Sequence, residues 1–161
     1  CFKTSAIKSI NIDENGFVHI TGRVKELFKT SKGKYIAPAP IEGLLTSNVF
    51  IDQACVMGNG RSQPLAVIEL SDTARTKDAE EIQSEIERHV GSINRELEHH
   101  ERIDCIVISQ SIWTVDSGLI TPTLKIRRET VEERYYPLGE HSKELIVWGP
   151  KENSPKEVEA A

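Results

Sequence analysis

Residues 51–70, IDQACVMGNGRSQPLAVIEL, decide how the chain folds. Two apolar runs, 51–57 and 64–70, flank Gly58-Asn59-Gly60. Glycine and asparagine supply the backbone freedom of a hairpin loop, so the stretch predicts two paired strands. Downstream, Ile82, Ile86, Val90, Ile93 and Leu97 recur at spacings of four, four, three and four. That spacing lays an apolar stripe along a charged cylinder and predicts a helix over 77–100. Ile103-Asp104-Cys105-Ile106-Val107-Ile108 then reads as a mostly apolar, buried strand. Upstream, Pro38 and Pro40 suit the first turn of a short helix running through Thr46. Strands and helices mix in no strict βαβ order and without an internal repeat. The fold class is therefore α+β, a small mixed sheet with flanking helices.

Further upstream, Asp13-Glu14-Asn15-Gly16 precedes Phe17-Val18-His19-Ile20, a tight turn leading into alternating residues, so a β-hairpin comes before the sheet. Val24–Phe28 reads as another short strand, and a helix is expected from about Ile126 to Tyr136. The last residues, KENSPKEVEAA, carry no core-forming pattern and predict a disordered tail.

Composition excludes several classes. The 161 residues carry a formal net charge of −5, which argues against a nucleic-acid partner. No apolar run is long enough for a transmembrane segment, and the first residues lack a signal-peptide core. Cys1, Cys55 and Cys105 are too few and scattered for a disulfide framework. His89, His99, His100 and Cys105 do not have the paired spacing of a metal site, so no metal ligand is assigned. Trp113 and Trp148 read as packing anchors.

Charge is nevertheless uneven. Residues 17–36 hold Arg23, Lys25, Lys29, Lys32 and Lys34 against Glu26 alone, a local net of +4. Such a segment can bind phosphate or ribose oxygens, or it can be a solvated hairpin edge whose lysines deter aggregation. Lys125, on the Pro-bearing stretch before the last helix, can neutralise developing negative charge or, with Arg127 and Arg128, form an exposed basic helix start. Glu42 is accounted for by a helix start, where the dipole favours a carboxylate.

Taken in order, DENGFVHITGRVKE (13–26), KGKYIAPAPIE (32–42), NREL (94–97) and TPTLKIRR (121–128) resemble the C-terminal lid of adenylate-forming enzymes. The similarity is to the long-chain fatty-acid–CoA ligase branch of the AMP-binding superfamily. It implies a two-step reaction: acyl adenylation from Mg2+-ATP with release of pyrophosphate, then thioester formation with CoA and release of AMP. The resemblance further implies that residues 1–22 end a large N-terminal domain and lead to a hinge, that 23–150 form the lid, and that 151–161 are tail.

By the same resemblance, Arg23 binds the nucleotide, Lys25 is the hinge, and Lys125 is the catalytic lysine of adenylation. Ser31, Lys32, Gly33, Lys34 and Glu42 match the segment serving the thioester step. ATP or AMP with Mg2+ would be held mainly by the N-terminal domain, with fatty acid and CoA as further partners. A cytoplasmic location follows, with peripheral membrane attachment of the longer enzyme left open. Two departures stand out. Thr4-Ser5-Ala6 replaces the family's Thr-Gly-Asp, and Leu124 precedes Lys125 where most members carry glycine. The alternative is a non-enzymatic interaction or regulatory domain that retains the lid fold.

Overall fold

The computed structural model describes residues 8–12, 14–16, 18–23 and 26–151. Its element order starts with two strands, β1 (Lys8–Ile12) and β2 (Val18–Arg23), paired antiparallel. Gly16 turns between them at φ +80°, the left-handed conformation anticipated for Asn15-Gly16. Strands β3 (Phe28–Lys29) and β4 (Tyr35–Ile36) form a second, shorter hairpin. The strand expected over 24–28 is therefore displaced: pairing starts only at Phe28, and Val24 and Lys25 lie outside the described residues. Helix α1 (Pro38–Thr46) follows, with proline in its first turn.

The central sheet is built from β5 (Ile51–Met57), β6 (Leu65–Leu70), β7 (Cys105–Ser109) and β8 (Ile146–Trp148), in that order. β5 and β6 are antiparallel across the Gly58–Gly60 loop, while β6, β7 and β8 run parallel. Between β6 and β7 lie α2 (Asp72–Arg75) and α3 (Ala79–Glu96). Between β7 and β8 lie a long loop and α4 (Arg128–Gly139).

Alternation across the strands sorts the core into two layers. On one face, Ala54, Val56, Ala66, Ile68, Ile106 and Ile108 meet Ile41 and Leu45 of α1 and the α3 stripe of Ile82, Ile86, Val90 and Ile93. On the other, Cys55, Leu65, Val67, Cys105 and Val107 meet Trp113, Leu119, Val131 and Tyr135. Helices thus cover both sides, which is why every residue of β6 and β7 is buried. Each buried branched side chain contributes about 1.5–3 kcal/mol, enough for the α3 stripe to fix that helix.

Helix α3 is shorter than the predicted 77–100. It stops at Glu96, and a separate 3-10 turn at His99–Glu101 carries the chain to β7. Asn94 sets this junction: its side-chain amide donates to Ile103 O and its Oδ1 accepts from Ile103 N, both at 2.9 Å. Its place in the NREL motif thus has a fold-level reason. His89 is likewise taken up, its Nε2 lying 3.0 Å and 3.2 Å from Leu44 O and Leu45 O at the end of α1. At the far end of α4, a Cβ on Gly139 would meet Val107 Cγ2 at 3.1 Å and Cys105 Sγ at 3.2 Å, so the helix end lies close on the sheet and any side chain there would have to push these two neighbours aside by a few tenths of an ångström.

Burial pushes the Cys55 thiol up to about 12, with Arg128 opposing, and the Cys105 thiol up to about 11. Both stay protonated and unreactive at neutral pH. In the native chain, alkylation of Cys55 and Cys105 should proceed only at the rate of unfolding. Mass spectrometry after pulsed labelling measures this, and rapid native labelling would contradict the packing. Because both folded values exceed the unfolded value of 9.0, the thiols contribute stability below pH 9 that is lost as pH rises toward 12.

Candidate functional site

The two lysine-bearing motifs fold into the same turn. In the first, Thr30 N donates to Lys34 O at 2.8 Å, Gly33 N to Thr30 O at 3.0 Å, and Lys34 N to Thr30 Oγ1 at 3.1 Å. In the second, Thr121 N donates to Lys125 O at 2.8 Å, Leu124 N to Thr121 O at 2.8 Å, and Lys125 N to Thr121 Oγ1 at 3.1 Å. Each is a three-residue loop closed by a residue in the left-handed region, Gly33 at φ +81° and Leu124 at φ +61°. Threonine locks both turns through its hydroxyl, and each lysine follows the left-handed residue.

Lys125 therefore does not sit at a helix start. Ile120 and Ile126 form a β-bridge at the base of its hairpin, and α4 begins only at Arg128. The side chain of Lys125 is exposed at the tip. The hairpin's mount is rigid. Leu119 and Ile120 are buried, and Trp113 N donates to Glu69 Oε1 at 2.7 Å. Trp113 Nε1 donates to Ser109 Oγ at 3.0 Å, and Tyr135 OH lies 2.9 Å from the same oxygen. Trp113 thus anchors the loop as expected. Burial raises the Glu69 carboxyl above its ordinary range, against the opposing Trp113 hydrogen bond. Trp148 is only half-buried beside the α3 side of the core.

Ser31, Lys32, Gly33 and Lys34 are all exposed on the β3–β4 hairpin. Their loop is fastened below by Ser31 N to Arg61 O and by Gly60 N to Lys29 O, each 2.8 Å. The Lys29 ammonium stands 5.7 Å from the Tyr35 ring centroid. A groove of about 460 Å³ runs from this hairpin past Cys55, Met57 and Asn59 to Arg128 and Glu132. Lys125 is not among the residues lining it. Arg23 closes β2, and Lys25 lies outside the described residues, as do Thr4, Ser5 and Ala6.

Two assignments change. Glu42 is not at the helix start: it is the fifth residue of α1, beyond the turn where the dipole acts. Arg128 is not an exposed basic residue. Its Nη1 and Nη2 donate to Glu42 Oε1 and Oε2 at 2.6 and 2.7 Å, a bidentate pair with Glu42 at 13% and Arg128 at 28% side-chain exposure. Glu42 Oε1 also accepts from Val56 N at 2.9 Å. Burial works against the Arg128 charge, but the Glu42 hydrogen bonds and charge override it and hold the guanidinium above its ordinary pKa. The pair joins α1, which follows the first lysine hairpin, to the base of the second.

A family model, the AMP-binding enzyme C-terminal domain, matches residues 25–138, most of the described chain and both lysine hairpins. The chain belongs to this family. A long-chain-fatty-acid–CoA ligase, FadD15, of Mycobacterium tuberculosis is 32% identical across 83% of this chain and 25% of its own length. Long-chain-fatty-acid–CoA ligase 1 of Cavia porcellus is 28% identical over 71% of this chain and 19% of its length. Among solved structures, the A domain of a carboxylic acid reductase from Segniliparus rugosus, in complex with AMP and a co-purified carboxylic acid, superposes with a TM-score of 0.64. It is 25% identical, across 78% of this chain and 23% of that one. This AMP-binding C-terminal domain thus spans about a quarter or less of these relatives. Its α+β architecture is theirs, and among its described residues no helix is long and apolar enough to cross a membrane.

Proposed function

We propose that this domain serves the C-terminal end of an ATP-dependent long-chain fatty-acid–CoA ligase and completes its active site in two steps. The observation that carries the reading is the pair of matched hairpins, each holding an exposed lysine at a locked tip on a common α+β body. In the first step a fatty-acid carboxylate oxygen attacks the α-phosphorus of ATP and pyrophosphate leaves. Lys125 bridges the carboxylate and α-phosphate oxygens and offsets charge in the transition state. In the second step the CoA sulfur attacks the acyl carbonyl and AMP leaves. The Ser31–Lys34 hairpin serves this step, and Glu42 supports it from within α1. Arg23 contacts the nucleotide ribose.

Two different tips must reach one centre in turn, so the domain rotates between steps on a hinge at Lys25. The large domain that precedes the hinge holds Mg2+, most of the nucleotide and the acyl chain. Residues 1–22 lead out of it, 23–150 form the rotating lid, and 151–161 are the tail. The reading implies a cytoplasmic enzyme.

The test is fatty-acid-dependent ATP–pyrophosphate exchange by the longer polypeptide that carries this domain. Exchange with long-chain fatty acids is expected. Its absence with every carboxylic acid tried would favour the non-enzymatic, regulatory alternative. Lys25→Pro should slow overall thioester formation about tenfold by fixing φ at the hinge, while single-turnover adenylation stays within about twofold. Unchanged overall turnover would remove Lys25 from the hinge.

A further inference from the structure

The two lysine turns differ at one position, and the difference runs against the backbone. Among the described residues, glycine occupies the left-handed conformation at Gly16, Gly33, Gly58, Gly60 and Gly118, and Leu124 is the single residue with a side chain that adopts it. A Cβ in that region crowds the following carbonyl, a penalty glycine escapes. The same chain builds the same turn with Gly33, so the geometry alone has no need of leucine. Packing within the domain does not offset the strain either, because the Leu124 side chain is 72% exposed. Strain that the fold itself does not repay points to function.

Exposure of apolar surface is concentrated on the same loop. Ile112 and Val115 are 58% and 47% exposed, so three of the six exposed large hydrophobic residues among the described positions fall within 112–124. About three-quarters of the length of the aligned ligase relatives lies outside this chain, which leaves a large partner domain to meet that loop. Consecutive Cα atoms are about 3.8 Å apart, so whatever Lys125 reaches, Leu124 must lie against its border.

We infer that Leu124 is a positioning residue, an apolar peg that seats in an apolar surface of the large domain beside the reaction centre and so sets Lys125 for adenylation. The inference rests on the proposed ligase reading. Glycine in its place would keep the turn and lose the peg. Burying one leucine side chain is worth about a tenfold or larger change in the occupancy of the closed state.

The experiment pairs two measurements on Leu124→Gly. In the 161-residue chain its thermal midpoint should be unchanged or raised by a few degrees, since strain is relieved. In the longer polypeptide, pyrophosphate exchange should fall about tenfold in kcat with the KM for ATP nearly constant, and thioester formation from supplied acyl-adenylate should keep its rate. Leu124→Met should restore exchange to within about twofold, and Leu124→Asn, polar but tolerant of the turn, should not. Unchanged exchange in Leu124→Gly, or a midpoint lowered by several degrees, would overturn the inference. Two controls separate the two ideas. If the unaltered polypeptide shows no exchange with any carboxylic acid, the ligase reading fails regardless of Leu124. If Lys125→Ala leaves exchange intact, Lys125 is not the adenylation lysine and Leu124 has nothing to position.

Discussion

Lys125→Ala should lower the adenylation half-reaction of the longer polypeptide about 10²- to 10³-fold, the cost of removing one preorganised donor from a developing anion. Conversion of supplied acyl-adenylate to thioester should stay within about twofold of the unaltered rate. The asymmetry follows from the separate hairpins: Lys125 stands on 120–126, whereas Ser31–Lys34 stand on β3–β4, and no side chain is shared between the two tips. Rapid-quench measurement of each half-reaction decides the matter. Parallel loss of both would mean that Lys125 acts on the body of the domain and not on the first step. Lys125→Arg should recover little, because a planar fork replaces a point charge on a turn whose reach is fixed by Thr121.

The second large effect concerns the body that holds the hairpins. Glu42→Ala should destabilise the domain by about 2–4 kcal/mol, leaving the Arg128 charge unpaired and Val56 N–H without its acceptor. At about 2–4 °C per kcal/mol, the thermal midpoint should fall by about 10 °C. Glu42→Gln should lie between, since it keeps an oxygen for Val56 N–H but loses the charge. Arg128→Lys should cost less than Glu42→Ala, as one ammonium still meets the carboxylate without the two-point fit. A double-mutant cycle between Glu42 and Arg128 isolates their coupling. A midpoint change worth less than about 0.5 kcal/mol for Glu42→Ala would show the pair to be dispensable.

Much of this architecture is legible in the chain because its signals are periodic. The α3 stripe, the β5–β6 pair around Gly58-Asn59-Gly60 and the apolar run of β7 each carry enough residues for a pattern to emerge. Helix α2 has four residues and β8 three, too few for any period, and neither is foreseen. The second lysine hairpin is hidden for a chemical reason. Turn signals look for glycine at the left-handed position, and Leu124 conceals a turn that Gly33 advertises. What could have exposed it is the shared Thr-x-x-x-Lys spacing of 30–34 and 121–125. The Glu42–Arg128 pair spans 86 positions, a separation at which one sequence carries no information about contact. Read locally, each residue had a sufficient explanation at its own helix start, and both explanations yield to the tertiary bond.

Glu42 has one more effect, on what the domain does in company. β5 is an outer strand of the sheet, and its Val56 N–H points away from β6 to the Glu42 carboxylate. A bare strand edge offers a row of donors and acceptors to any extended peptide that passes. Here a charged side chain already occupies one rung near the end of that row, and an incoming backbone would have to displace it from a bidentate partner. The clasp that steadies two hairpins therefore also guards a seam against unwanted company, and a domain without it would risk joining its neighbours edge to edge.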